Sequence, residues 1–230
     1  MFDNRELRYM MKLSKETLQI LKNFSTINSN LMLSKGNKIS TISTHRTVIG
    51  ETTVAETFPN DFGIYDLNEF LGTLSLFEDP ELDFTSTHVV VSHKNMSVKY
   101  VSADPSILVT PKSKFNFPVA DVEFTLSAND LNMVNKTSSV LGAGDVCFVG
   151  DGSVMKLVVK DKKNPTGNTF EHIVGETPAI FQFNMRIENF KMLPGNYDVA
   201  ISSRNISKFS STTSDLTYYV AVEADSKFSG

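Results

Sequence analysis

One stretch of this chain occurs twice. Lys12 to Leu33 reads KLSKETLQILKNFSTINSNLML, and Thr125 to Val149 reads TLSANDLNMVNKTSSVLGAGDVCFV. Leu13, Ser14, Leu18, Leu21 and Ser25 match Leu126, Ser127, Leu131, Val134 and Ser138 at one constant offset of 113 residues, about half of the 230-residue chain. Self-similarity at a fixed offset marks a duplicated unit, so the chain is expected to fold as two copies of one small domain. Ser14 and Ser127 each suit a helix N-cap, and Asp130 completes a Ser-x-x-Asp box. The matched residues at 18, 21 and 25, and at 131, 134 and 138, then share one helical face that should pack on a sheet. The opposite face of the first helix carries Lys15, Gln19, Lys22 and Thr26, and its counterpart carries Asn129, Asn132 and Lys136. Each helix runs toward a hairpin, one turning at Ser34-Lys35-Gly36-Asn37 and the other at Gly150-Asp151-Gly152-Ser153, where Gly or Asn can supply positive φ.

Between the copies, Thr52 to Phe58 reads as a strand. Asp61 to Phe77 holds a second amphipathic helix with Leu67, Phe70, Leu71 and Leu74 on its buried face, and the carboxylates of Asp66 and Glu69 fit local capping rather than acid/base catalysis. Strands are expected at 88–92 and 97–101. Asp104-Pro105, Pro111 and Pro118 bracket a segment with no helical period; its Ile107-Leu108-Val109-Thr110 run suggests a strand at one end, and the connector between domains is placed at 111–118. In the second copy, strands fall near Glu171 and Ala179, Asn184 to Leu193 reads as a short helix stopped by Pro194-Gly195, and the last strand is placed at 216–224. The fold class is therefore α+β, each half having two helices on antiparallel sheet. The domains run from 11 to 110 and from 119 to 230, with residues 1–10 as a flexible extension that has no counterpart in the second copy and Met10 or Met11 as alternative starts.

Several chemistries find no motif. The histidines, at 45, 88, 93 and 172, lack metal-ligand spacing, and there is no Walker loop, nucleophile elbow or dinucleotide fingerprint. The lone cysteine, Cys147, sits between Val146 and Phe148 in a strand-like run and reads as a small packed apolar residue. No catalytic residue, metal or cofactor is expected. No run reaches the length of a membrane span, so the chain is expected to be soluble and intracellular. The formal net charge of −4 argues against a protein that coats nucleic acid with its whole surface, but it leaves room for a local basic stripe. The Lys15/Lys22 face fits either such a stripe or an ordinary solvated helix face.

KLSKETLQILKNFSTINS, IYDLNEFLGTLSL at 64–76, PGNY at 194–197 and the terminal YYVAVEAD at 218–225 resemble the DNA polymerase processivity clamp of T-even-type bacteriophages, in the same order from about Met11 to Asp225. The resemblance implies a homotrimeric ring of two-domain subunits around a central hole lined by helices, with edge strands pairing between subunits. It implies a sliding clamp that encircles duplex DNA without reading its sequence and tethers the phage DNA polymerase in the cytoplasm of an infected bacterium. An ATP-dependent clamp loader and late-transcription factors are the further partners it implies. On this reading the DNA-facing candidates are Lys12, Lys15, Lys22, Lys136, Arg186 and Lys191, on or beside four helices, whereas Asp66 and Glu69 do not suit that surface. Leu108, Val109, Phe115, Phe117, Tyr218 and Val220 are candidates for a groove that takes partner tails; each also reads as core. The alternative function is a structural ring protein of the phage particle, built from the same duplicated domains and having no need of Lys15 and Lys22.

Overall fold

The computed structural model describes residues 9–112 and 115–230. It divides into two compact units between Lys112 and Ser113. Of the extension expected at 1–10, residues 1–8 lie outside the described residues, as do positions 113 and 114 of the expected connector. Tyr9 and Met10 instead belong to the first strand.

The first unit runs β1 (Tyr9–Met11), α1 (Lys15–Ile27), β2 (Leu31–Leu33), β3 (Gly36–Ile42), β4 (Val48–Phe58), β5 (Phe62–Ile64), α2 (Leu67–Ser75), β6 (Glu81–Phe84), β7 (His88–His93) and β8 (Met96–Val101). Its strands pair in the orders β5-β2-β3-β4 and β1-β6-β7-β8, antiparallel throughout. Ser14 caps α1 as expected, accepting the Thr17 N–H at 3.2 Å. The buried face of this helix is rotated from the expected one: Thr17, Leu21, Phe24 and Ile27 are buried, while Leu18 and Ser25 are half-buried. Phe24, which the repeat did not mark, is the cause; its ring reaches so close to Gly50 that a Cβ there would lie 2.8 Å from it. Asp66 caps α2 by accepting from the N–H groups of Asn68 and Glu69. Phe62 meets Phe84 edge-on at 5.3 Å, and Phe70 meets Tyr100 at 5.2 Å, so α2 closes over an aromatic core.

The segment after β8 forms a 3-10 turn at Pro105–Ile107 and then runs without regular structure, so the strand expected from Ile107-Leu108-Val109-Thr110 does not form. Val109 is held by side chains instead. The buried Asn28 amide donates to the carbonyls of Ile42 and Val109, each at 2.8 Å, and Asn30 Oδ1 accepts the Val109 N–H at 3.0 Å.

The second unit runs β9 (Val122–Leu126), α3 (Ala128–Leu141), β10 (Asp145–Asp151), β11 (Val154–Lys160), β12 (Phe170–Glu176), β13 (Ile180–Arg186), β14 (Tyr197–Ser202), β15 (Ile206–Ser211), β16 (Thr217–Ala221) and β17 (Lys227–Phe228). Its strands pair in the orders β16-β15-β14-β9 and β12-β11-β10-β13-β17. In α3 both halves of the Ser127–Asp130 capping box form, the helix stops at Gly142 in the left-handed conformation, and Leu131, Val134 and Ser138 are buried as the repeat predicts. Gly36 and Gly152, in the two expected hairpin turns, have φ of 114° and 88°. Cys147 is fully buried, and burial pushes its thiol up to about 11.

The helix expected at 184–193 is absent. Asn184 and Arg186 belong to β13, pairing with Cys147 and Asp145, and only Ile187–Asn189 coil, as a 3-10 turn without a side-chain cap. The sheet wins because Asn184, itself buried, donates its side-chain amide to Asp225 at 3.0 Å and its backbone N–H to Ser226 Oγ at 2.8 Å. The fold is thus α+β with three α-helices among the described residues, two in the first unit and one in the second. PGNY is explained by packing: Tyr197 is buried and its hydroxyl donates to the Leu193 carbonyl at 2.6 Å.

Candidate nucleic-acid interface

Lys15 is the first residue of α1, directly after its cap, and Lys22 follows two turns later, about 10 Å along the axis. Lys15, Gln19, Lys22 and Thr26 lie along one side of α1, the polar stripe that their spacing predicts, and Lys22 is exposed on it. Neither lysine has an acidic partner among the described residues. They line a cleft of about 380 Å³ together with Leu18, Leu71, Leu74, Phe77, Glu78 and Asp79. Lys12 does not share their freedom. Its ammonium is paired with Asp79, and that hydrogen bond raises its pKa above the usual lysine value.

In the second unit Lys136 is exposed on α3, on the side that carries Asn129 and Asn132. Arg186 is not on a helix: it ends β13, and its Nη1 donates to the buried Asp145 carboxylate at 3.2 Å while Nε lies 3.7 Å from Glu188. A guanidinium committed to a buried carboxylate neutralises that carboxylate before it can serve any ligand. Lys191 is exposed in the loop beyond the 3-10 turn, again off any helix. The helix surfaces therefore carry Lys15, Lys22 and Lys136 of the six expected residues. Asp66 and Glu69 belong to the start of α2, where Asp66 serves the cap; burial first, and then these two charges, push the Tyr100 phenol up to about 12.

The residues expected to take partner tails belong to both units. Leu108 and Val109 line a cleft of about 590 Å³ with Ile42, Arg46, Pro105 and Lys112, all in the first unit. In the second unit Phe115 and Phe117 lie 4.8 and 6.3 Å from the Tyr219 ring. Tyr218 and Val220 are fully buried and line no open groove. Side chains 218 and 220 of β16 share one face, and Tyr219, on the other, is also buried, beside the rings of Phe115 and Phe117. A two-residue period in YYVAV separates Tyr219 from Tyr218 and Val220; Ile42 and Arg46, more than sixty residues before the connector, carry no local signal.

Two families match in chain order, DNA polymerase processivity factor over residues 14–110 and gp45 sliding clamp, C terminal, over residues 123–224. The sliding clamp of Vibrio phage KVP40 is 33% identical over 224 residues, which cover 93% of this chain and 100% of the relative. The chain belongs to the sliding clamp family. The sliding clamp of Enterobacteria phage T4 is 32% identical over 231 residues, covering 94% of this clamp and 98% of the relative. Likeness of fold reaches much further than likeness of sequence. A. fulgidus PCNA, solved with the C-terminal region of FEN-1, superposes with a TM-score of 0.68 at 11% identity, covering 95% of this clamp and 98% of that chain. The first matched region of the clamp begins at the Ser14 cap and the second within β9, ahead of the Ser127 cap. Among the described residues of the clamp, no cluster of histidine, cysteine and carboxylate side chains is placed to hold a metal ion, and no helix is long and apolar enough to cross a membrane.

Proposed function

We propose that three copies of this clamp close into a ring around duplex DNA and tether the phage DNA polymerase to it in the cytoplasm of the infected bacterium. The observation that carries this reading is the lysine stripe on α1, without acidic partners among the described residues, in a chain whose net charge is −4. Lysines on a helix, with no built pocket for a base, attract phosphates without fixing a register, which holds DNA and still permits sliding. An acidic remainder discourages binding outside the hole. Lys136 on α3 is the second unit's contribution.

Two sheet edges support the ring. β8 ends one sheet of the first unit and β12 ends one sheet of the second, and both carry exposed apolar residues, Met96 and Val101 on β8 and Ile173 on β12. Open edges of this kind invite a second chain. Pairing β8 of one copy with β12 of the next is a head-to-tail contact, which closes into a ring when the rotation fits. A closed ring dissociates from a circle only by opening, so the reading includes an ATP-dependent loader, and a tethered polymerase stays at high local concentration near the primer end. The stretch 111–118 joins the two domains. The Leu108/Val109 cleft and the rings of Phe115 and Phe117 beside Tyr219 are the proposed docking places for partner tails; A. fulgidus PCNA, which shares the fold, is solved with the C-terminal region of FEN-1 bound. Late-transcription factors are proposed as users of the same docking places.

The test is retention on nicked circular DNA after loading, with half of the sample linearised, in moderate salt. Retention on circles with loss from cut ends is expected, because electrostatic binding alone would hold both forms equally. Equal binding to both would overturn encirclement.

A further inference from the structure

The two repeated helices are capped by different carboxylates. In α3 the carboxylate comes from the helix itself: Asp130 Oδ2 accepts from the Ser127 N–H at 3.0 Å and from the Ser127 hydroxyl at 2.6 Å. At the matching position of α1, 113 residues earlier, stands Thr17. The carboxylate there is supplied by β4. Glu56 accepts the Ser14 backbone N–H through Oε1 and the Thr17 hydroxyl through Oε2, the latter at 2.6 Å. Thr17 is buried, and Ser14 Oγ donates to Thr17 Oγ1 at 3.0 Å, so the three residues form one closed network. Burial raises the Glu56 pKa, but the hydrogen bonds from Ser14 and Thr17 outweigh it and hold the carboxyl below its usual range. The carboxylate also sits at the positive end of the helix dipole.

The box of α3 is closed by a residue of α3 itself, whose other oxygen, Asp130 Oδ1, lies 3.0 Å from His172 Nε2 on β12. A carboxylate reaching from a strand fixes where the helix starts relative to the sheet. Lys15 follows Ser14 directly in the chain, so its backbone adjoins the anchored residue, and Lys22 stands on the same rigid rod. We infer that Glu56 is a positioning residue for DNA: by pinning the start of α1 to β4 it sets how far Lys15 and Lys22 project toward the phosphates. This rests on the reading that those two lysines face DNA. Glu56 touches no DNA itself.

The experiment measures affinity of the assembled full-length protein for a short linear duplex over a series of salt concentrations, with ring size and thermal midpoint recorded for each variant. Lys15→Ala with Lys22→Ala tests the underlying reading and should flatten the salt dependence, since each phosphate that is no longer neutralised takes about 0.9 off the log–log slope. Glu56→Gln keeps the shape and removes the charge. It should weaken binding about threefold, the scale for residues that act through another, flatten the slope in the same direction, and have no further effect once both lysines are alanine. Thr17→Asp added to Glu56→Gln supplies a carboxylate from within α1, as Asp130 does in α3, but without the tie to β4. It should raise the thermal midpoint again while affinity and slope stay at the Glu56→Gln values, and a full return of both would show that the cap alone suffices and overturn the inference.

An unchanged slope in Glu56→Gln, or an effect equally large without the lysines, would show that Glu56 serves folding alone and overturn the inference while the lysine reading stands. An unchanged slope in the lysine variant would overturn the lysine reading, and the inference with it. If Glu56→Gln fails to assemble, Glu56→Asp, one methylene shorter with its charge kept, takes its place and must give a flattened slope that vanishes without the lysines.

Discussion

Asn184 Nδ2 donates to Asp225 Oδ1 at 3.0 Å, tying β13 to the C-terminal segment 41 residues away. The other Asp225 oxygen accepts from Lys162 Nζ at 2.7 Å. These two hydrogen bonds, Lys162 first, hold the Asp225 carboxyl below its ordinary value of 3.8. Folding therefore favours the charged form. The stabilisation is fully present above the ordinary carboxylate value and is lost as pH falls through the lower folded one. Asp225→Asn should lower the thermal midpoint at neutral pH, and the gap from the unsubstituted protein should close as acid is added. A gap that stayed constant down to the acid transition would assign the loss to packing.

Arg186 and Lys15 should part company. Arg186→Ala leaves the buried Asp145 with the Lys162 N–H at 3.0 Å but without its guanidinium, and should cost about 2 kcal/mol by urea denaturation, while the salt dependence of DNA binding holds. Lys15→Ala should do the reverse, leaving stability within about 0.5 kcal/mol and flattening the salt dependence.

Gly150 lies under a ring. A Cβ there would stand 2.5 Å from Phe181 Cε1 and 2.6 Å from the Ala179 carbonyl oxygen, so Gly150→Ala should destabilise the second unit by about 1–3 kcal/mol through overpacking. Calorimetry of the full chain would detect this as a lowered transition; an unshifted one would mean that β13 gives way without cost.

Asn28→Ala leaves the Ile42 carbonyl and the Val109 carbonyl without their donor. A loss of about 1–3 kcal/mol is expected, together with faster amide exchange from residue 105 to residue 112, since this amide holds the irregular segment to the end of β3. Slow exchange there in the variant would mean that the Val109–Asn30 bond suffices.

Ile173→Glu on β12 and Val101→Glu on β8 place charge on the two open edges. Each should convert rings to single chains in sedimentation while leaving the thermal unfolding of each unit in place. Rings that survive both changes would place the subunit contact elsewhere.

Features that rest on neighbours along the chain are legible in the residues alone. Ser14 and Ser127 cap helices because a hydroxyl one turn from an open N–H needs no distant partner, and Gly36 and Gly152 turn hairpins because only the local backbone must take positive φ. The 113-residue offset, and the lysine stripe of α1, are properties of order alone. What the tertiary structure decided are the cases in which a distant group competes for the same atoms. Asn184 to Leu193 has a helical period, yet β10 and Asp225 claim Asn184, and the uncapped remainder coils for three residues. Arg186 reads as a free charge until Asp145, 41 residues earlier in the chain, takes it. Thr17 stands where the second copy has the box carboxylate Asp130, and Glu56 supplies that carboxylate from β4. Local hydrogen bonds form whatever the rest of the chain does; these depend on which strand the fold brings alongside.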